Sequence, residues 1–214
     1  MAKPRVIREV RRDPLNRPPP QDISPHPWFT NETKVLYDEA LRRGHRLEIY
    51  MSSLAEEKMR EQSLRAAPRR LEVMGLLLGD VCSWGGRTYS IIRDVGTTDL
   101  ENSPAKVKFD PSALPRLFND LDRAGFDYVV VGWYHSHPGH TCFMSRVDLR
   151  TQKRAFTQGY HCSVVIDPVS REVRAFKLTG EGYSEVPFAL VAPEALRFRR
   201  LKPLSSMGTE AETR

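Results

Sequence analysis

Residues Val129–Asp148 read VVVGWYHSHPGHTCFMSRVD, and the reading of this stretch decides the fold. The apolar run Val129–Tyr134 predicts a buried strand that delivers His135 and His137 at its end. Side chains alternate across a strand, so residues two apart leave it on one face. Ser145 in the sequence Ser-Arg-Val-Asp predicts a helix N-cap, which sets Asp148 in the first turn of that helix. Two imidazoles from a strand and one carboxylate from the next helix make a three-ligand set of nitrogen and oxygen donors. That inventory suits a catalytic zinc ion whose fourth position is left to water. Each part alone also fits a plainer reading. A His-x-His pair can be two packed histidines, and Ser-x-x-Asp can be no more than a capping box.

Outward from this stretch the texture alternates between helical and strand periodicity. Residues 1–29 are rich in Pro and Arg, including Arg17-Pro-Pro-Pro20, and predict a flexible, extended or disordered arm. Over residues 30–46, Thr30-Asn31-Glu32-Thr33 supplies cap residues and Leu36, Tyr37, Ala40 and Leu41 follow at helical spacing. Gly44 ends this additional amphipathic helix. Leu47–Met51 predicts a strand, Leu54–Gln62 a helix capped by Ser52 or Ser53, and Leu71–Gly79 a buried strand beginning near Glu72. The Trp84-Gly-Gly-Arg87 turn leads into a strand over Thr88–Val95, as in a hairpin. Gly96–Lys108 is expected to be a functional loop, and Asp110-Pro111 to start a helix that Gly125 closes. Beyond the central stretch, a helix over Val147–Phe156 and strands over Cys162–Ile166 and Glu172–Leu178 are expected. Gly180–Pro187 is read as a loop, and residues 191–214 as a short helix near Pro193–Leu201 and a disordered tail. The interleaved order gives an α/β or α+β class built on a mixed sheet, with residues 47–190 as the catalytic domain.

Composition narrows the function. The 214 residues are 40% hydrophobic with a formal net charge of +6, enough for one sizeable domain. The basic residues are mostly Arg in short scattered clusters, with no recognition-helix or zinc-finger pattern, so no nucleic-acid partner is expected. No apolar run reaches bilayer length, so no membrane role is expected. Cys82, Cys142 and Cys162 form no CxxC pair, which points to a reducing, cytoplasmic setting.

A zinc hydrolase also needs a base that does not ligate the metal, and no HExxH helix supplies one here. His135-Ser136-His137, seven residues, then Ser145-Arg-Val-Asp148 resembles the complete signature of the JAMM, or MPN+, metalloproteases. Glu72-Val-Met-Gly-Leu-Leu-Leu-Gly79 resembles that family's upstream element. Together with Val130–Pro138, Cys142 and Asp148–Gln152, it is most similar to the family's proteasome-lid deubiquitinase branch. The resemblance covers about Leu47–Leu178 and departs at His140 and Thr141, which bear on the substrate rim.

This resemblance implies a curved mixed β-sheet flanked by helices, of cytidine-deaminase-like architecture. It implies one Zn2+ per chain on His135, His137 and Asp148, and Glu72 as general base and later acid. Ser145 would stabilise the oxyanion. Val107, Lys108, Trp133, Cys142 and Phe143 become candidate substrate contacts. The implied reaction is isopeptide hydrolysis after the C-terminal Gly-Gly of ubiquitin or a ubiquitin-like modifier, by a metal-bound water. Implied partners are such conjugates and a proteasome or unfoldase-type assembly. A sulfur-carrier processing peptidase, or an assembly subunit active only when docked, are the alternatives. The Gly96–Lys108 loop would be mobile without substrate. His140 is expected at the rim, His161 at a strand start, and His26 and His45 outside the site.

Overall fold

The structure is a computed structural model and describes residues 13–44, 47–97 and 129–196. Among the described residues ten strands form one mixed sheet: β1 (Leu15–Asn16), β2 (Ile23–Ser24), β3 (Ile49–Ser52), β4 (Met74–Trp84), β5 (Arg87–Thr97), β6 (Val129–Ser136), β7 (Cys162–Asp167), β8 (Glu172–Leu178), β9 (Tyr183–Val186) and β10 (Phe188–Val191). Their order is β2-β10-β3-β5-β4-β6-β7-β8-β9, with β1 attached to β4. Three helices accompany them among the described residues: α1 (Asn31–Arg42), α2 (Ser53–Ala66) and α3 (Arg146–Ala155). This is the mixed α/β arrangement, dominated by its sheet, that the periodicities predicted.

The β4–β5 hairpin is the spine. Gly85 and Gly86 sit at φ of 57° and 75° between the paired residues Trp84 and Arg87. Such two-residue turns need left-handed backbone at both positions, where glycine has no steric cost. Residue alternation then assigns the faces. Leu77 on β4 and Tyr134 on β6 point into the core that α2 covers with Ala55, Met59 and Ala66. Met74, Leu76, Leu78 and Trp133 point the other way, into a core shared with Met144 and Phe156 around α3. Each fully buried aliphatic side chain in these layers contributes roughly 1.5–3 kcal/mol. The sheet bends where β4 slips register against β5 at Leu78/Gly79 and against β6 at Leu77/Leu78.

Gly132 lies at the second slip, pressed on β7. A Cβ at this position would stand 1.9 Å from the Cys162 carbonyl oxygen, which is backbone and cannot move aside. Gly132→Ala is therefore expected to destabilise the fold by about 3 kcal/mol or more, lowering the melting temperature by roughly 6–12 °C. A thermal melt unchanged from the parent chain would contradict this packing.

Three segments differ from the expectations. The arm expected to be flexible is docked from Leu15 onward. β1 pairs in parallel with Cys82 and Ser83 on the stretch of β4 that lies beyond the end of β6, and β2 pairs with β10. Both strands cover edges that the sheet would otherwise leave unpaired. His26 completes the anchor. Buried at 3% exposure, it accepts the Trp28 N–H at Nδ1 (2.9 Å) and donates from Nε2 to Glu56 of α2 (3.0 Å).

The expected loop Gly180–Pro187 instead contains β9, which pairs with β8, and Phe188–Val191 forms β10 beside β3. β10 is a four-residue apolar run, too short to distinguish from loop by periodicity alone. Near the C-terminus, only a 3-10 turn over Pro193–Leu196 falls within the described residues of the expected short helix. The expected loop from Gly96 lies outside the described residues from residue 98 onward, as do His45, the Asp110–Gly125 helix and the tail.

Candidate metal centre

Strand β6 brings His135 and Ser136 to its end, and His137 follows directly. The His137 N–H still donates to the Ile166 carbonyl on β7 (2.9 Å), so the strand geometry extends past its last paired residue. On the other side, Met74 pairs with His135, while Val73 and Ser136 exchange two bonds. The Ser136 N–H donates to the Val73 carbonyl (2.9 Å), and the Val73 N–H to Ser136 Oγ (3.0 Å). Continuing this antiparallel ladder by one step sets Glu72 across from His137. Glu72 precedes β4 rather than opening it, and its side chain is half-buried.

Helix α3 supplies the third donor. Ser145 is its N-cap, and the capping box is closed in both directions. Ser145 Oγ accepts the Asp148 N–H (3.2 Å), and Asp148 Oδ2 accepts the Ser145 N–H (2.7 Å). This local bonding fixes the Asp148 rotamer, and the fold turns the same oxygen toward both histidines. Asp148 Oδ2 lies 3.4 Å from His135 Nε2 and 3.6 Å from His137 Nε2. The ligand atoms of His135, His137 and Asp148 all fall within 4.8 Å of one another.

These separations fit a metal ion. Ligands at about 2.0–2.2 Å from a tetrahedral zinc are roughly 3.4 Å apart, and the two Asp148–histidine distances, 3.4 and 3.6 Å, lie at and just above that edge. The histidines fit as well. His135 is 2% exposed, yet among the described residues neither ring nitrogen has a hydrogen-bond partner, a costly arrangement for a buried imidazole unless a cation takes a lone pair. His137 Nδ1 faces the Thr141 carbonyl at 3.2 Å. A carbonyl only accepts, so Nδ1 carries the proton and Nε2 presents its lone pair to the shared centre.

Electrostatics point the same way. Burial opposes ionisation of Asp148, but the two imidazoles and the Ser145 bond outweigh it and hold the carboxyl far below its usual range. Burial lowers the His135 pKa against the pull of Asp148. For His137 burial also lowers it, but Asp148 and Glu72 prevail and the net shift is upward. Glu72 also raises the pKa of both rings, more weakly than Asp148 does.

Residues 45–157 match the JAB1/Mov34/MPN/PAD-1 ubiquitin protease family, a span of more than half of the chain. The chain belongs to the JAB1/Mov34/MPN/PAD-1 family. Within this JAB/MPN family it is 37% identical over 124 residues to 26S proteasome non-ATPase regulatory subunit 14 of Dictyostelium discoideum, covering 56% of this chain and 39% of that one. It is 34% identical over 159 residues to 26S proteasome regulatory subunit RPN11 of Candida glabrata, covering 70% and 50%. Ubiquitin carboxyl-terminal hydrolase RPN11 of Saccharomyces cerevisiae is 34% identical over 142 residues, covering 63% and 44%. The chain thus spans about two fifths to half of these relatives' length.

The remaining site candidates of this JAB/MPN domain separate by burial. Phe143 is 42% exposed, with its ring 4.9 Å from that of His137, and sits at the rim of the centre. Trp133 and Cys142, expected among the substrate contacts, face inward instead. Trp133 is 2% exposed and stacks on His135 with ring centroids 4.4 Å apart, while its indole N–H donates to Gln152 of α3. It is a wall behind the histidine, because position 133 shares the inward face of β6 with position 135. Cys142 is 5% exposed and its thiol points at the Val165 carbonyl (3.2 Å); burial pushes its pKa well above the ordinary thiol range. Val107 and Lys108 lie outside the described residues.

His140 is exposed at the rim and does not join the cluster. His161 is buried just before β7, and burial pushes its pKa down to about 4. Sequence reasoning missed Asp167 altogether. Its carboxylate is 0% exposed and gathers N–H groups from the loop after His137. The only local signal was the Asp167-Pro168 dipeptide, which announces a turn and nothing more.

Proposed function

We propose that this chain is a zinc-dependent isopeptidase that cleaves after the C-terminal Gly-Gly of ubiquitin or a ubiquitin-like modifier. The observation that carries this reading is the convergence of the His135, His137 and Asp148 donor atoms, with Glu72 one step beyond the Val73–Ser136 bonds of the adjoining ladder. Zinc held there would supply Lewis acidity and a water acidic enough to ionise near neutral pH. Glu72 takes the proton of the attacking water and passes it to the departing lysine amine. Ser145 donates its hydroxyl proton to the carbonyl oxygen as negative charge develops there. Its capping role uses an oxygen lone pair, so the O–H stays available. Phe143 meets the substrate at the rim. The relatives named as 26S proteasome regulatory subunits, and the one named as a ubiquitin carboxyl-terminal hydrolase, support a proteasome-like assembly and ubiquitin conjugates as substrates. Among the described residues no helix is long and apolar enough to cross a membrane.

The test is cleavage of a panel of Gly-Gly-tailed conjugates by the zinc-loaded chain, with and without a chelator. We expect cleavage at the isopeptide bond that stops on chelation and returns with zinc. Cleavage indifferent to chelation would overturn the reading. Trimming of a sulfur-carrier tail uses the same chemistry, and the substrate preferred in the panel separates the two. Activity that appears only when a partner assembly is added would identify a subunit that docking switches on.

Ser145→Ala resolves the two roles of that residue. Loss of the cap costs about 1 kcal/mol of stability, whereas loss of an oxyanion donor costs roughly 10²–10³ in kcat. A melt lowered by a few degrees with kcat intact would confine Ser145 to starting the helix.

A further inference from the structure

We propose that Asp167 is a positioning residue for the metal centre: its carboxylate holds the 139–141 loop so that the Thr141 carbonyl fixes the His137 ring. The inference rests on the metal-site reading above and extends it to a residue outside the ligand set. Asp167 ends β7 and is 0% exposed. Its Oδ1 accepts the N–H groups of Gly139 (2.9 Å), Val169 (2.9 Å) and Ser170 (3.3 Å), and its Oδ2 accepts that of Thr141 (2.9 Å). Burial disfavours the charge, yet these donors outweigh it and hold the carboxyl at about 2. Two of the bonds are local and only shape the turn after Asp167. The other two cross 26 and 28 residues to the loop that leaves His137.

That loop needs an external brace. Gly139 adopts φ of 80°, and Thr141 adopts φ of 63°. Left-handed backbone is unfavourable for a β-branched residue and persists only where surrounding contacts impose it. Thr141 is exposed, so packing of its side chain supplies no such constraint. The constraint comes from the backbone: Asp167 grips the Gly139 and Thr141 amides, and Glu172 Oε2 takes the adjacent Cys142 N–H (3.3 Å). The product of this geometry is the position of one atom, the Thr141 carbonyl oxygen 3.2 Å from His137 Nδ1. With the proton held on Nδ1, Nε2 is left as the ligand. Asp167 thus acts on the metal through two intermediaries and touches neither the metal ligands nor the substrate.

Two substitutions separate this role from turn capping. Asp167→Asn keeps the shape but turns an NH2 group toward one set of N–H donors. Asp167→Ser keeps a hydroxyl able to cap the local turn and is too short to reach the loop. For both, zinc affinity is measured by competition with a chromophoric chelator on the full chain. The His137 tautomer is read from ring nitrogen shifts in the metal-free protein at pH 8. The parent chain should bind zinc and show the Nδ1–H tautomer. Each folded variant, compared below its own melting temperature, should bind zinc about 10–100-fold more weakly and lose the dominance of that tautomer; Asp167→Ser also melts lower through the buried amides it leaves unpaired.

Zinc affinity within threefold of the parent in a folded variant would overturn the proposal, as would an Nε2–H tautomer in the parent. A parent chain that binds no zinc at all is a different failure, which removes the metal-site reading itself.

Discussion

Glu72→Gln is expected to lower kcat/KM for a Gly-Gly-tailed conjugate by at least about 10², and by as much as 10⁴, the range that a positioned proton-transfer group contributes. Zinc content and melting temperature should stay at the parent values. The substitution keeps the side chain's size and removes only its capacity to take a proton. It leaves untouched the Val73–Ser136 bonds that hold this segment against β6. Glu72 stands across the ladder from His137, and its charge bears on both imidazoles without belonging to the ligand cluster. On the proposed reading, a base belongs next to the zinc ligands and outside their set. Kinetics under chelator-buffered zinc check the outcome. Undiminished turnover would remove Glu72 from the reaction, and loss of zinc together with activity would make it a ligand instead.

Asp148→Ala should abolish both cleavage and zinc-dependent stabilisation. Zinc at a thousandfold excess over its Kd would stabilise the parent by about 4 kcal/mol. For a chain of this size that corresponds to roughly 8–16 °C in melting temperature. The variant should show no such shift, because the oxygen facing both Nε2 atoms at 3.4 and 3.6 Å is gone. Asp148 also closes the capping box, so the metal-free melt should fall as well, by the few degrees that about 1 kcal/mol represents. Paired melts with zinc and with chelator distinguish the two losses. A variant that melts lower but keeps the full zinc shift would leave Asp148 as a helix cap only.

The parts of the fold legible in the sequence are those governed by neighbours along the chain. The Thr30 cap of α1, the Ser145–Asp148 box of α3 and the two-glycine turn before Arg87 are bonded within a few residues. Their sequence patterns therefore carry their geometry. The spacing of His135 and His137 belongs to the same class, since strand alternation alone puts them on one face.

What the sequence concealed depends on partners far away. Nothing local distinguishes the arm around Leu15 and Ile23 from loose chain; its order comes from vacant edges on β4 and β10. Trp133, expected among the substrate contacts, is turned inward behind His135 only by the pairing with β4 and the packing of α3. Asp167 looks like a turn former until β7 is laid beside β6 and its carboxylate meets the loop after His137.

The sequence by itself therefore determined the donors: two imidazoles at the end of a strand and one carboxylate in the first turn of a helix, while Glu72 is singled out only by the family resemblance. Only the tertiary structure decided that these donors meet, that Glu72 falls across from His137 when the β4–β6 ladder is continued, and that Trp133, Thr141 and Asp167 pack and bond around them. The physical reason is the range of the interactions. Caps, turns and side-chain alternation act within a few residues, whereas ligand convergence depends on strand register and helix packing, which the whole core sets at once.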